Sequence, residues 1–174
     1  MRQANLIGMF ARYIFLVLIA LPGMRFFYLV FTPLTIYPSF WLLSLFYSST
    51  ILFEDAFIIN SSIIQIIPAC IAGAAYYLLL ILNFATPMPP KTRINSIIFL
   101  IFSFLVFNII RLVAFSILFI NGYEYFGILH KMMWYFGSTL LVVLLWFANV
   151  YFFKIKAIPA YTDLKYLYLS IKKP

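Results

Sequence analysis

The chain has 174 residues, of which 66% are hydrophobic and only 9% are charged. A soluble domain carries about 25% charged residues, so this composition excludes an ordinary soluble domain and indicates a helical membrane protein. The net charge of +8 does not indicate nucleic acid, because the cations flank apolar segments, where they orient a membrane protein and contact lipid headgroups. We therefore expect an all-α, polytopic transmembrane helical bundle whose partners include membrane lipids and no nucleic acid.

Apolar segments follow one another along the whole chain. The first two are residues 6–31 and Ile36–Phe53, the third covers about Ile66–Phe84, the fourth lies within Ile94–Ile120, and the fifth runs from about Ile128 to Phe153. A span needs roughly 20 apolar residues, and the first segment lacks the pattern of a cleavable signal, so we expect it to remain as a span. The sequence thus predicts about five spans, with six as the alternative, in one integral membrane domain of residues 1–174.

The segments between the apolar runs indicate the orientation. The loop 85–93 contains two cations and the segment after Phe153 contains five, and five spans place both on one side, which the positive-inside rule makes cytoplasmic. Residues 157–174 are expected to lie on that membrane surface as a cytoplasmic tail, and residues 54–62 are expected to form an outer loop. Arg2 and Arg12 do not fit, because five spans also place the N-terminus outside, and the direction of the first span therefore stays open.

The single cysteine, Cys70, lies at the start of the third apolar segment, two residues after Pro68. Proline is tolerated in the first turn of a helix, so a helix beginning near Pro68 places Cys70 where unpaired N–H groups and the helix dipole favour a thiolate. A start at Ser61 or Ser62 would instead put Pro68 inside the helix as a kink. One cysteine excludes an intrachain disulfide, and the lack of a Cys/His cluster predicts no metal and no cofactor.

Three residues of distinct chemistry come to similar membrane depths in this arrangement. Cys70 begins the third span at its outer end, and His130 begins the fifth span at its outer end. Arg111 lies nine residues before Ile120 in the fourth span, roughly 14 Å from the end of that segment, and its long side chain can extend outward. The sequence therefore predicts that a thiol, a guanidinium and an imidazole from three helices meet near the outer leaflet.

This combination of groups is typical of acyl transfer. A thiol attacks a carbonyl as the thiolate, which a fixed cation and a proton-accepting histidine favour. The histidine can return the proton to a leaving amine, and the arginine can alternatively hold the developing oxyanion. Simpler interpretations stay open: Cys70 as packing, His130 as an interfacial polar residue, and Arg111 as a structural cation. An arginine within a span nevertheless costs at least ~2.5 kcal/mol and usually marks a site.

Two further positions accompany these residues. Asn108 precedes Arg111 by three residues, so both side chains point the same way. Asn108 would either orient the guanidinium or bridge two helices. Gly73, within a run of small residues at 72–75, favours close helix packing.

The order and spacing of these residues resemble a known family. A cysteine followed closely by Gly73 opens one helix, an Asn-x-x-Arg motif at residues 108–111 ends 41 residues after Cys70 in the next helix, and His130 opens the helix after that. Over residues 60–153 this pattern resembles the archaeosortase/exosortase family of membrane transpeptidase-like cysteine enzymes.

The resemblance implies roles for the site residues. Cys70 would be the nucleophile, Arg111 the stabiliser of the thiolate or oxyanion, and His130 the general base. Asn108 and Gly73 would be substrate-binding or supporting residues. Members of the family cleave exported substrate proteins that bear a C-terminal short motif, a transmembrane helix and a basic tail. Cleavage takes place on the outer side of the cell membrane, and transfer to a lipid or other anchor is thought to follow.

Two other functions are compatible with the sequence. A non-catalytic membrane binding or assembly protein would use Arg111 to hold a lipid phosphate or a partner helix. A small transporter subunit would use Arg111 to line a polar pathway. The transporter alternative is weaker, because the sequence lacks repeated broken helices and has almost no other intramembrane charge.

Overall fold

The computed structural model of the protein describes residues 6–21, 24–159 and 161–172. Within these residues the chain forms eight α-helices, three short strands and one π-helical stretch. In chain order they are α1 (Leu6–Ala20), α2 (Met24–Phe46), β1 (Thr50–Phe53), β2 (Ala56–Ile59), β3 (Ser62–Gln65), α3 (Pro68–Ile71), α4 (Gly73–Ala85), α5 (Pro90–Ile120), α6 (Phe126–Met132), the π-helical stretch (Met133–Gly137), α7 (Ser138–Phe152) and α8 (Tyr161–Lys172).

Four helical segments of the described residues are long and apolar enough to cross a membrane. They are α2, α3 together with α4 (Pro68–Ala85), α5, and the segment Phe126–Phe152 that joins α6 to α7. The helix α1 is apolar but has only 15 residues, or roughly 22 Å of helix, which is less than the ~30 Å of a hydrocarbon core. The chain is therefore a mainly helical protein with the apolar helices of a membrane protein, as its composition predicts.

The first two predicted spans have the wrong boundaries. The helix α2 is one continuous element that contains Pro33 and Pro38, so no helix ends between residues 31 and 36. Proline is tolerated inside membrane helices, because neighbouring groups satisfy the backbone carbonyl that loses its N–H partner. The predicted second span, Ile36–Phe53, divides between the end of α2 and the strand β1.

A three-stranded antiparallel sheet occupies the region that the sequence predicts as an outer loop. The strand order is β1-β2-β3, and two-residue turns join neighbouring strands. Glu54 in the first turn has a positive φ of 49°, and Asn60 and Ser61 in the second have φ of 47° and 68°, as tight hairpin turns require. The polar residues therefore mark the turns correctly, whereas the apolar residues between them form strands instead of an open loop.

The two faces of the sheet have different surroundings. Phe57 and Ile59 point to the helices and are fully buried. Ile51, Phe53 and Ile63 lie on the opposite face, and about three fifths of each side chain is exposed. The sheet therefore packs one apolar face on the bundle and leaves a second apolar face open.

The remaining predicted segments are helical, with small shifts at their ends. The third begins at Pro68, the fourth at Pro90 and the fifth at Phe126. Prolines in the first turn explain the first two starts, because the missing N–H of proline is not needed there. Within the predicted surface tail, residues 161–172 form α8.

Aromatic and small polar side chains hold the helices together. Tyr76 of α4 is fully buried and stacks on Phe31 of α2, with ring centroids 3.6 Å apart. Further along α4, Asn83 Nδ2 donates to Ser96 Oγ of α5 at 2.6 Å, and Ser96 Oγ donates to Asn149 Oδ1 of α7 at 2.8 Å. This buried chain of hydrogen bonds joins three helices, as polar side chains commonly do in membrane bundles.

The helix directions define two ends of the bundle. The sheet end contains β1–β3, the starts of α3 and α6, and the end of α5. The loop end contains the loop 86–89 between α4 and α5. The helices α1 and α8 also lie at the loop end: the ring centroids of Phe15 and Phe84 are 4.8 Å apart, and Arg12 Nη2 donates to both carboxylate oxygens of Asp163 at 2.8 and 2.9 Å.

Candidate active site

Cys70 lies in the first turn of a helix, as the proline spacing predicts. The helix α3 begins at Pro68, and the Cys70 N–H donates to the carbonyl of Ile67 at 2.8 Å. The alternative starts at Ser61 or Ser62 are wrong, because these residues form the β2–β3 turn and the start of β3. The cysteine is free and half-buried.

A backbone break follows Cys70 after only two residues. Ala72 has the left-handed conformation, with φ of 58° and ψ of 41°, and separates α3 from α4. This conformation costs an L-residue other than glycine about 1–2 kcal/mol. It also interrupts the helical hydrogen-bond ladder, so that the carbonyls of Cys70 and Ile71 can accept hydrogen bonds from side chains.

Asn108 and Arg111 of α5 donate to these carbonyls. Asn108 Nδ2 lies 3.2 Å from the carbonyl oxygens of both Cys70 and Ile71, and Arg111 Nη2 lies 2.9 Å from the carbonyl oxygen of Cys70. Asn108 is almost fully buried, so its amide bridges α5 to α3 within the bundle. Of the two roles expected for Asn108, the structure shows the helix bridge.

The second terminal nitrogen of Arg111 contacts a residue that the sequence did not single out. Arg111 Nη1 donates to Ser138 Oγ at 2.7 Å. Ser138 is the first residue of α7 and directly follows the π-helical stretch. The guanidinium is therefore held from two sides, by the Cys70 carbonyl and by the Ser138 hydroxyl.

The three residues of the predicted site line one pocket at the sheet end. This thiol pocket has a volume of about 220 Å³ and is lined by Cys70, Arg111 and His130, together with Lys131 and mainly apolar side chains. A second cavity of about 230 Å³, the edge groove, shares Cys70 and His130 with it and extends to β3. The residues come from α3, α5 and α6, which are the three helical segments that the sequence predicts for them.

Aromatic side chains hold the imidazole of His130. Its ring stacks on Phe126 with centroids 5.5 Å apart and an interplanar angle of 12°. The ring of Phe115 meets it edge-on, also at 5.5 Å. Among the described residues no hydrogen bond to a ring nitrogen of His130 is formed, so both nitrogens are available to a ligand in the pocket.

Gly73 lies outside the thiol pocket and the edge groove. A Cβ atom at this position would lie 3.0 Å from Cε1 of Tyr28 in α2, which is too close for an ordinary contact. The glycine therefore allows α4 to approach α2, in agreement with the packing role expected of the small residues. It supports the site only indirectly, through the helix that follows Cys70.

The part of the chain that the structure describes contains no group of three or more His, Cys, Asp or Glu side chains able to hold a metal ion.

No family model matches the chain, and neither a curated protein nor a solved structure shows significant similarity to it. The function must therefore be inferred from the residues and geometry of the thiol pocket.

Proposed function

We propose that the protein is a membrane-embedded cysteine peptidase or transpeptidase of the archaeosortase/exosortase type. Its substrates would be exported proteins with a C-terminal motif, a transmembrane helix and a basic tail. The observation that carries the proposal is that Cys70, Arg111 and His130 line one pocket although they come from three helices. The spacing resembles the family, and the pocket combines the three groups that thiol-dependent acyl transfer needs.

The proposed reaction gives each of these groups a distinct role. His130 accepts the thiol proton, and the Cys70 thiolate attacks the carbonyl carbon of the scissile peptide bond. The bond to nitrogen breaks as His130 returns the proton to the leaving amine, which departs with the C-terminal segment and leaves a thioester on Cys70. Water or an amine then attacks the thioester, the C–S bond breaks, and His130 transfers the proton of the nucleophile to the Cys70 sulfur. Arg111 stabilises the negative charge on the sulfur or on the oxyanion.

We further propose that four helical segments cross the membrane and that the sheet end faces outward. The loop end carries most of the cations: Arg12, Arg25, Lys91, Arg93, Lys154 and Lys156. By the positive-inside rule this end is cytoplasmic, with α1 and α8 on the cytoplasmic surface of the cell membrane. An even number of spans supports this orientation, because Arg12 then lies on the same side as the other cations.

The test of the function compares cells that carry the wild-type chain with cells that carry Cys70→Ala or Cys70→Ser. Mass spectrometry of exported surface proteins should find the C-terminal helix removed in wild-type cells and retained in cells that carry either variant. Ser103→Ala, which changes a hydroxyl outside both cavities, is the control and should process normally. Membrane extraction must show equal insertion of all chains. Full processing by Cys70→Ala would exclude the mechanism.

The alternative function is a non-catalytic binding or assembly protein. The observation that favours it is the mainly apolar lining of the thiol pocket, in which Lys131 lies with Arg111, since such a cavity suits a lipid chain with an anionic group. Under this alternative, Cys70→Ala keeps full function in the cell whereas Arg111→Ala loses it. The two variants therefore separate the alternatives.

A further inference from the structure

Among the described residues, the strand β3 has one edge without a neighbouring strand. It is the last strand in the order β1-β2-β3, and its partner is β2. The N–H of Ile66, the residue after β3, donates to the carbonyl of Asp55 at 2.8 Å, on the β2 side. Backbone groups alternate in direction along a strand. The N–H and C=O groups of Ile64 therefore point to β2, whereas those of Ile63 and Gln65 point to the free edge.

The tight turn between β2 and β3 independently shows which backbone groups of β3 point to the free edge. Ile59 and Ser62 flank the two-residue turn and are opposite each other. In such a hairpin the flanking pair is hydrogen-bonded across the strands, so the backbone N–H and C=O groups of Ser62 point to β2. Because these groups alternate along β3, the N–H and C=O groups of Ile63 and Gln65 again point to the free edge.

The edge groove runs along this free edge and ends at the thiol. Its lining includes Ile63 and Gln65 of β3, then Ile67, and then Cys70 and His130. It shares Ile67, Cys70 and His130 with the thiol pocket, so the two cavities form one continuous surface. Ile63 is 66% exposed and Gln65 is also exposed. The groove therefore offers unpaired backbone groups beside apolar side chains, immediately before the nucleophile in the chain.

We propose that the peptide segment preceding the scissile bond binds in the edge groove as a fourth strand, parallel to β3. An extended peptide satisfies the outward N–H and C=O groups of Ile63 and Gln65, and its alternate side chains contact the apolar groove. The direction follows from the chemistry, because the attacked carbonyl must end the bound segment at Cys70 and β3 also runs towards Cys70. The proposal rests on the proposed function for the identity of its substrate as a peptide.

The test uses the purified full chain in detergent and a peptide alkylating reagent. The probe is acetyl-Val-Thr-Val-Ala chloromethyl ketone, whose chloride the Cys70 thiolate displaces, so that one S–C bond forms and one C–Cl bond breaks. The chain has one cysteine, so the mass of the adduct and fragmentation locate the label. Iodoacetamide, which needs no strand pairing, measures the reactivity of the thiol in the same sample.

Two N-methylated probes, modified at the second or at the third residue, test the strand pairing on the unchanged protein. Because alternate N–H groups of a strand point to the same side, one of the two methylations should slow labelling about tenfold, the equivalent of roughly 1.4 kcal/mol. The other should change the rate little. Equal effects of the two methylations, or no effect of either, would overturn the proposal.

A substitution in β3 gives a second measurement. Gln65→Pro removes an N–H that points away from β2, which an edge strand tolerates, and Gln65→Ala retains that N–H. We expect the ratio of peptide labelling to iodoacetamide labelling to be about tenfold lower in Gln65→Pro than in Gln65→Ala, because both variants lose the glutamine side chain and only the first loses the N–H. If the alternating effect is present while Cys70→Ala still processes surface proteins, the groove binds peptides but the proposed function is wrong. Normal processing that depends on Cys70, without the alternating effect, rejects the strand pairing alone.

Discussion

Arg111 is the residue whose contacts define the candidate site most closely. Its guanidinium binds the Cys70 carbonyl through Nη2 and the Ser138 hydroxyl through Nη1. These contacts leave the positive charge fixed beside the turn that carries the thiol. A planar group with several donors can make two such contacts at once, whereas an ammonium group is a single point charge on a flexible stem.

Arg111→Lys is therefore expected to reduce processing about tenfold or more, although the positive charge is kept. The measurement is the rate of removal of the C-terminal segment from surface proteins, with the rate of Cys70 alkylation by iodoacetamide recorded in parallel. Near-wild-type processing by the lysine variant would show that a generic charge is sufficient.

Ser138→Ala tests whether the hydroxyl positions Arg111. Loss of one hydrogen bond to a charged group is worth about 1.5–3 kcal/mol, so we expect processing to fall tenfold or more. Thr139→Ala is the matched control, because the Thr139 hydroxyl contacts only the Tyr135 carbonyl, at 3.4 Å. A purely structural role for Ser138 would lower the melting temperature of the variant without lowering the turnover of the chain that remains folded.

At this scale the sequence reveals some residues of the pocket and not others. The chain has few polar groups, so its cysteine, arginine and histidine are conspicuous. Their positions along three predicted spans are sufficient to predict that they lie at one end of the bundle. Ser138 is one of many hydroxyl residues, and it meets Arg111 only because α5 and α7 pack side by side. Nothing in the local sequence marks such a tertiary contact.

The helix break at Ala72 leaves the carbonyls of Cys70 and Ile71 free to accept hydrogen bonds from α5. A continuous helix from Pro68 to Ala85 would use the carbonyl of Cys70 in its own ladder. The left-handed residue ends that ladder, and side chains of α5 take the place of backbone donors. The sequence has an alanine and not a glycine at this position, so the local sequence does not indicate the break.

Ala72→Gly should stabilise the protein by up to about 1 kcal/mol, because glycine adopts a positive φ without the steric cost of a Cβ atom. Ala114→Gly is the control, since Ala114 is an exposed residue in the interior of α5, where glycine costs roughly 0.5–1 kcal/mol. Thermal unfolding of the purified full chain should show shifts of opposite sign. A loss of stability in both variants would contradict the strain assigned to Ala72.

The sheet shows where apolar composition is an ambiguous guide to secondary structure. Residues 50–53 continue an apolar run, which predicts the end of a span. Both faces of the sheet carry apolar side chains, including Phe57 on the buried face and Phe53 on the open one. The alternation of polar and apolar residues that normally identifies a strand is therefore missing, and only the turn residues were recognisable.

At the scale of the whole molecule, the number of long helices decides the topology. Four spans place both termini on one side, whereas the five expected from the sequence place them on opposite sides. The difference concerns the first 53 residues, where the apolar run 6–31 contains the 15-residue helix α1 and the start of α2. From residue 68 onward, the long apolar helices agree with the sequence prediction to within a few residues.

Cysteine accessibility tests the four-span arrangement. In a Cys70→Ser background, single cysteines at the exposed positions Gly8, Glu124 and Lys156 are treated with a membrane-impermeant maleimide from outside. We expect labelling of Glu124→Cys in intact cells, and labelling of Gly8→Cys and Lys156→Cys only after the membrane is opened. Labelling of Gly8→Cys in intact cells would support an odd number of spans.

The ion pair between Arg12 and Asp163 has a consequence for biosynthesis. Its partners are 151 residues apart in the chain, and the side chain of Asp163 is only 4% exposed. During synthesis Arg12 emerges first and has no carboxylate to pair with until α8 has left the ribosome. The contact that joins α1 to α8 can therefore form only after residues 161–172 have been synthesised. A chain that stops before residue 161 lacks Asp163 and therefore leaves Arg12 without the carboxylate that binds it in the complete fold.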